Sequence, residues 1–130
     1  MATWKSFEEI DAWQKARLLS REIYKVSGTG SFSKEYELRS QIRRASGSVM
    51  DNIAEGFDRG GKGEFIQFLA IAKGSAAEVK SQLYRAFDND LINKTQFESL
   101  FLMADDVGKM IGGLIEYLNK STIKGLKYKK

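Results

Sequence analysis

The sequence predicts an all-α protein, an antiparallel up-down-up-down four-helix bundle, from three observations. Apolar residues recur at alternating spacings of three and four along four separate segments. The breaks between those segments are short, which forces consecutive helices to run antiparallel. No stretch carries the strict apolar/polar alternation of a half-buried strand, and the 130 residues contain no Pro. A chain of this length supports one hydrophobic core, so residues 1–119 read as a single domain.

In the first segment Ala12, Ala16, Leu19, Ile23 and Val26 share one face. Ser6 with Glu9 forms a candidate capping box ahead of them, which predicts a helix over about 7–27. Gly28 and Gly30 stop it. Ser33 is the candidate cap of a second helix, 33–56, where Leu38, Ile42, Ala45 and Val49 keep the rhythm as far as Gly56. Asp58 to Gly63 reads as a loop. The third helix, 63–88, has the most regular seam: Phe65, Leu69, Ala72, Ala76, Val79, Leu83 and Ala86. After an Asp88-Asn89-Asp90 turn, Asn93 or Thr95 caps a fourth helix, 94–119. Its seam is Phe97, Leu100, Ala104, Val107, Ile111, Leu114 and Leu118.

The fourth helix carries further apolar residues off its seam, namely Phe101, Met103, Met110, Ile115 and Tyr117. They leave only a narrow polar stripe through Glu98, Asp105, Lys109 and Glu116. Surplus apolar surface of this kind predicts burial against another copy of the chain.

Composition narrows the chemistry. There is no Cys and no His, so thiolate sites, disulfides, imidazole bases and Ser-His pairs are excluded. An enzyme is not expected, nor is a cofactor. A di-iron bundle site needs inward Glu-x-x-His pairs, which cannot form here. An all-carboxylate site from Glu55 and Glu78 is opposed by Arg43, Arg44 and Lys80 as neutralising partners, so no metal is expected. The Gly56-to-Gly63 stretch is Gly-rich and basic before a helix, the general setting for cradling phosphate. It fails as a P-loop, because no strand precedes it and no Ser or Thr follows Lys62. A helix-breaking turn is the favoured reading.

The net charge of +4 is unevenly placed. Lys120, Lys124, Lys127, Lys129 and Lys130 lie in residues 120–130 without an acid, and the rest of the chain holds one more acid than base. The tail reads as a basic, flexible end. No uninterrupted apolar stretch is longer than Leu100 to Ala104, which is far too short to span a bilayer. A cytoplasmic location with no membrane partner follows as an expectation.

Gln41, Arg44, Ser48, Asn52 and Glu55 fall on one face of the second helix beside the small residues Ala45, Gly47 and Ala54. Gly74, Ser75 and Glu78 offer a matching patch on the third. This pattern predicts a packed polar seam that fixes register, in preference to a ligand site. Arg43 and Arg44 either join that seam or face outward to phosphates.

The stretch from Gln41 to Gly56, with its Asn52-Ile53-Ala54-Glu55-Gly56 core, resembles the signature of a bacterial family. Its members are four-helix-bundle proteins encoded in intervening sequences of the large-subunit ribosomal RNA gene. Trp13-Gln14-Lys15-Ala16, Glu64-Phe65 with Phe68-Leu69, and Ile71 to Glu78 fit the same pattern. More distantly, the chain resembles the pentameric accessory proteins of diversity-generating retroelements, which bind nucleic acid and a reverse transcriptase. The resemblance implies a homo-oligomeric ring, a pentamer, with RNA as the suspected ligand and no catalytic residues. One departure is local: Met50-Asp51 stands where the family usually has Pro, which weakens the expectation of a helix kink near residue 50 but not that of the fold.

The functional expectation is a non-enzymatic nucleic-acid-binding or accessory oligomer. Arg43, Arg44, Arg59, Lys62, Lys124, Lys127, Lys129 and Lys130 are its candidate phosphate contacts. The competing reading is a protein–protein interaction scaffold with no nucleic-acid role.

Overall fold

A computed structural model describes residues 4–122; Lys124, Lys127, Lys129 and Lys130, expected as phosphate contacts, lie outside the described residues. Four helices account for most of the chain: α1 (Asp11–Ser27), α2 (Tyr36–Asp58), α3 (Lys62–Asp88) and α4 (Lys94–Lys120). Short 3-10 turns at Phe7–Glu9 and Gly30–Lys34 precede α1 and α2. Among the described residues there is no β-strand, and no helix is long and apolar enough to cross a membrane.

The seams read from the sequence are the buried faces. All seven α3 seam residues are buried, as are Leu100, Ala104, Val107, Ile111 and Leu118 of α4. α1 packs against α2 and α4, and α3 packs against α2 and α4. Between α2 and α3, Gln41 meets Arg85, Ser48 meets Ser75, and Gly56 meets Phe68. Between α3 and α4, Lys80 meets Asp105 and Gly112 lies against Lys73. Phe57 and Phe65 are fully buried with ring centroids 5.9 Å apart, edge to face. Burying one such ring is worth about 1.5–3 kcal/mol, against roughly 1 kcal/mol for a typical hydrogen bond, so the apolar seams dominate the packing.

The element ends depart from expectation in informative ways. Ser6 and Glu9 form no capping box, and no α-helix starts at residue 7. The Phe7–Glu9 turn and extended Ile10 come first, and Glu9 accepts instead from the Lys5 backbone N–H at 3.0 Å. This kink sets Phe7 against Trp13, and the chain before it brings Trp4 over Phe57 and Phe65. Ser33 does not cap α2, because its hydroxyl donates to the Gly30 carbonyl inside the second 3-10 turn. Gly56 does not end α2. It is buried in the helix against Phe68, buried Phe57 holds the last turn, and Gly60, at φ +90°, makes the break. The expected loop at 58–63 therefore shrinks to Arg59–Gly61. At α4 the cap is Asn93, whose Oδ1 accepts from the Gln96 N–H at 2.8 Å while Gln96 Oε1 accepts from the Asn93 N–H.

Within one chain the off-seam residues of α4 are already partly covered. Phe101 and Met103, and Met110, Ile115 and Tyr117, are half-buried against this chain's own two core clusters. The exposed large apolar side chains among the described residues include Leu102 of α4 at 60%, Tyr84 at 52% and Phe87 at 37% near the α3–α4 turn, Ile71 at 54%, and Leu18, Tyr24 and Tyr36 on α1 and α2.

Candidate nucleic-acid interface

The flank of α1 follows from its seam. With Ala12, Ala16, Leu19 and Ile23 turned to the core, positions 13, 17, 21 and 24 form an adjacent lengthwise stripe. They hold Trp13, Arg17, Arg21 and Tyr24. The Arg17 guanidinium lies 5.8 Å from the Trp13 ring centroid. From α2, Arg43 lies 4.5 Å over Tyr24. A cleft of about 470 Å³ opens along this flank between Glu8, Trp13, Gln14, Arg17, Leu18 and Arg21. α1 carries Lys15, Arg17, Arg21 and Lys25 against Asp11 and Glu22, and Lys25 is paired with Glu22 at 3.4 Å. Lys15, Arg17 and Arg21 are exposed and engage no carboxylate among the described residues. Unpaired cations beside aromatic faces suit a phosphate backbone with stacked bases.

The residues expected from sequence fall in different places. Arg43 is committed to holding α1 on α2: its Nε donates to Ser27 Oγ at 2.9 Å and its Nη2 to the Tyr24 carbonyl at 3.2 Å. Ser27 in turn donates to the Ile23 carbonyl. Arg44 is exposed, without ion pair or hydrogen bond among the described residues, and lines an α2–α3 cleft. Arg59 donates to Glu55 at 3.0 Å, lies 3.9 Å from Glu64 and stacks 5.1 Å over Phe68. Its charge is largely answered within the chain. Lys62 donates to the Ser121 carbonyl at 2.7 Å and so secures the end of α4.

The polar seam forms in part. Ser48 and Ser75 share a hydrogen bond of 2.9 Å, and Asn52 donates to the Ser48 carbonyl and hydroxyl. Gln41 accepts from Arg85 at 3.0 Å. Glu55 turns outward to Arg59, and Glu78 is exposed with no Arg partner among the described residues. On the opposite side of α3, Asp105 of α4 accepts from Lys80 at 2.9 Å and pairs with Lys109 at 3.1 Å. These two ammonium groups, Lys80 first, hold its carboxyl below the usual range.

Arg17, Arg21 and Tyr24 were not among the residues the sequence singled out. Their signal was available: Trp13, Arg17 and Arg21 stand four apart, immediately beside the apolar seam.

These elements define a four-helix protein with a basic, aromatic-lined flank. The chain belongs to the 23S rRNA-intervening sequence protein family, whose profile matches residues 8–113. It is similar to a solved structure from Bacteroides thetaiotaomicron, described as a protein with unknown function from the S23 ribosomal protein family. The TM-score is 0.74 at 25% identity, over 81% of this chain and 98% of that one. No curated protein matches it.

Proposed function

We propose that this chain is a non-enzymatic, cytoplasmic, oligomeric helical bundle that binds RNA along the α1 flank. One observation carries the reading: Arg17 and Arg21 stand exposed beside Trp13 and Tyr24, in no ion pair among the described residues, with Glu8 lining the same cleft. Each neutralised phosphate releases counterions, so this geometry gives a salt-sensitive, sequence-independent affinity. Arg44 adds an exposed cation on α2, and Lys124, Lys127, Lys129 and Lys130 remain candidate contacts from the sequence alone. Arg59 and Lys62 contribute less, being engaged by Glu55, Glu64 and the Ser121 carbonyl. Arg43 acts by presenting Tyr24.

The bundle reads as up-down-up-down. What supports this is the register of its contacts: residue numbers rise on α2 from Gln41 to Ser48 to Gly56 while their α3 partners fall from Arg85 to Ser75 to Phe68. A ring of copies, a pentamer on the family resemblance, multiplies one modest flank into an avid surface. That multiplication matters because outside its last eleven residues the chain carries no net positive charge.

A second reading, a protein-binding scaffold, is favoured by one observation. Tyr84, Phe87, Phe97 and Phe101 form a chain of ring contacts, 5.0–5.5 Å between centroids, beside exposed Leu102. Titrating a labelled structured RNA and a matched duplex DNA at low and physiological salt separates the two. RNA binding that weakens steeply with salt is the expected result; a partner held by the aromatic patch is insensitive to salt.

A further inference from the structure

Two exposed aromatic residues, Tyr36 at 67% and Tyr24 at 51%, are each backed by an arginine of α2. The Arg39 guanidinium lies 4.9 Å over the Tyr36 ring, and that of Arg43 lies 4.5 Å over the Tyr24 ring of α1. Tyr36, Arg39 and Arg43 follow one another at spacings of three and four, so they share one stripe of α2. Neither arginine is loose. Arg39 donates to the Ser33 carbonyl at 2.6 Å, and Arg43 donates to Ser27 Oγ and to the Tyr24 carbonyl. Neither takes part in an ion pair among the described residues. Each tyrosine is thus held by an anchored guanidinium while half or more of the residue stays open to solvent.

A ring ordered in advance loses little further freedom when a flat group settles on it. Glu35 and Glu37 flank Tyr36 in sequence, and both are exposed. This end of the track is therefore a poor seat for phosphate, and ring area is what it offers. The cations suited to phosphate, Arg17 and Arg21, lie on the α1 stripe that ends at Tyr24. From Trp13 to Tyr24 the helix rises about 16 Å, and from Arg43 back to Tyr36 about 10 Å. Given RNA binding on the α1 flank, on which this step rests, we infer that the ligand is an unpaired strand, its phosphates on Arg17 and Arg21 and its bases stacked on Tyr24 and Tyr36. The bases of a duplex are already stacked on one another, whereas loops, bulges and ends of a structured RNA offer free faces. Stacking of this kind accepts any base, and the track has the scale of the shortest single-strand sites, about four nucleotides.

The test measures Kd for a short mixed-sequence RNA, single-stranded and annealed to its complement, over a series of salt concentrations. Tyr36 is the residue to change, being exposed and outside both core clusters. The parent chain is expected to bind the single strand about tenfold more tightly than the duplex, and Tyr36→Ala to weaken the single strand by about tenfold. Tyr36→Phe keeps the ring and stays within about twofold of the parent. The double variant Tyr24→Ala/Tyr36→Ala weakens the single strand further. In each case the slope of log Kd against log salt is unchanged, because no phosphate contact is lost, and the affinity for the duplex does not move. Salt-sensitive binding in which the duplex is held as tightly as the single strand overturns the stacking track and leaves the RNA reading standing. So does a Tyr36→Ala chain that binds the single strand like the parent, or one that loses single strand and duplex alike. Binding of neither form at low salt overturns both.

Discussion

Gly56 and Gly47 lie on the same helix and have opposite requirements. A Cβ on Gly56 would overlap the Phe68 Cβ and crowd Phe65, whereas one on Gly47 meets nothing within 4 Å. Gly56→Ala is expected to destabilise the fold by about 2 kcal/mol, the overpacking cost outweighing the helix-propensity gain. Gly47→Ala is expected to stabilise it by about 0.5–1 kcal/mol. Urea unfolding of the two variants checks both signs. Arg43→Ala loses two hydrogen bonds and the stacking on Tyr24. We expect a loss of about 1–2 kcal/mol in the same assay. At Asp105 the folded-state pKa is depressed by Lys80 and Lys109. Its contribution is therefore present above the unfolded value and disappears as pH falls through and below about 4. Thermal unfolding followed between pH 6 and pH 2.5 should show a smaller acid-side fall in Tm for Asp105→Asn than for the parent chain.

At the scale of elements, the interiors were legible and the ends were not. The α3 seam was read without error because seven apolar residues at strict spacing leave one way to bury the helix. Helix ends depend on one or two hydrogen bonds that compete with tertiary packing. The Ser6–Glu9 box lost to the aromatic closure of Trp4 and Phe7 over the bundle end. Gly56 looked like a stop in sequence, yet it lies inside α2 where Phe68 of α3 packs into the space a Cβ would fill. The polar seam was half legible. Ser48, Ser75 and Asn52 meet as their spacing on facing helices implied. Glu55 and Glu78 depart because an exposed carboxylate finds Arg59, or water, at no desolvation cost. The side on which Arg43 and Arg44 emerge could not be read from spacing, since neighbouring positions on a helix diverge by about 100°. The structure turns Arg43 to α1 and Arg44 to the α2–α3 cleft.

For the whole molecule, the basic surface does not coincide with the charge runs that dominate the sequence. The lysine tail carries the formal excess, but the cations framed by aromatic rings lie on α1, and the free Arg of the cleft lies on α2. On the proposed reading the α1 surface supplies the phosphate contacts. The most direct test is the dependence of log Kd on log salt for a structured RNA, compared between the parent chain and the Arg17→Gln/Arg21→Gln variant, with oligomer mass recorded alongside. The account predicts weaker binding at every salt concentration and a slope shallower by about 2 per protomer engaged, at unchanged mass. An unchanged affinity and slope would contradict it and remove the α1 flank from the interface.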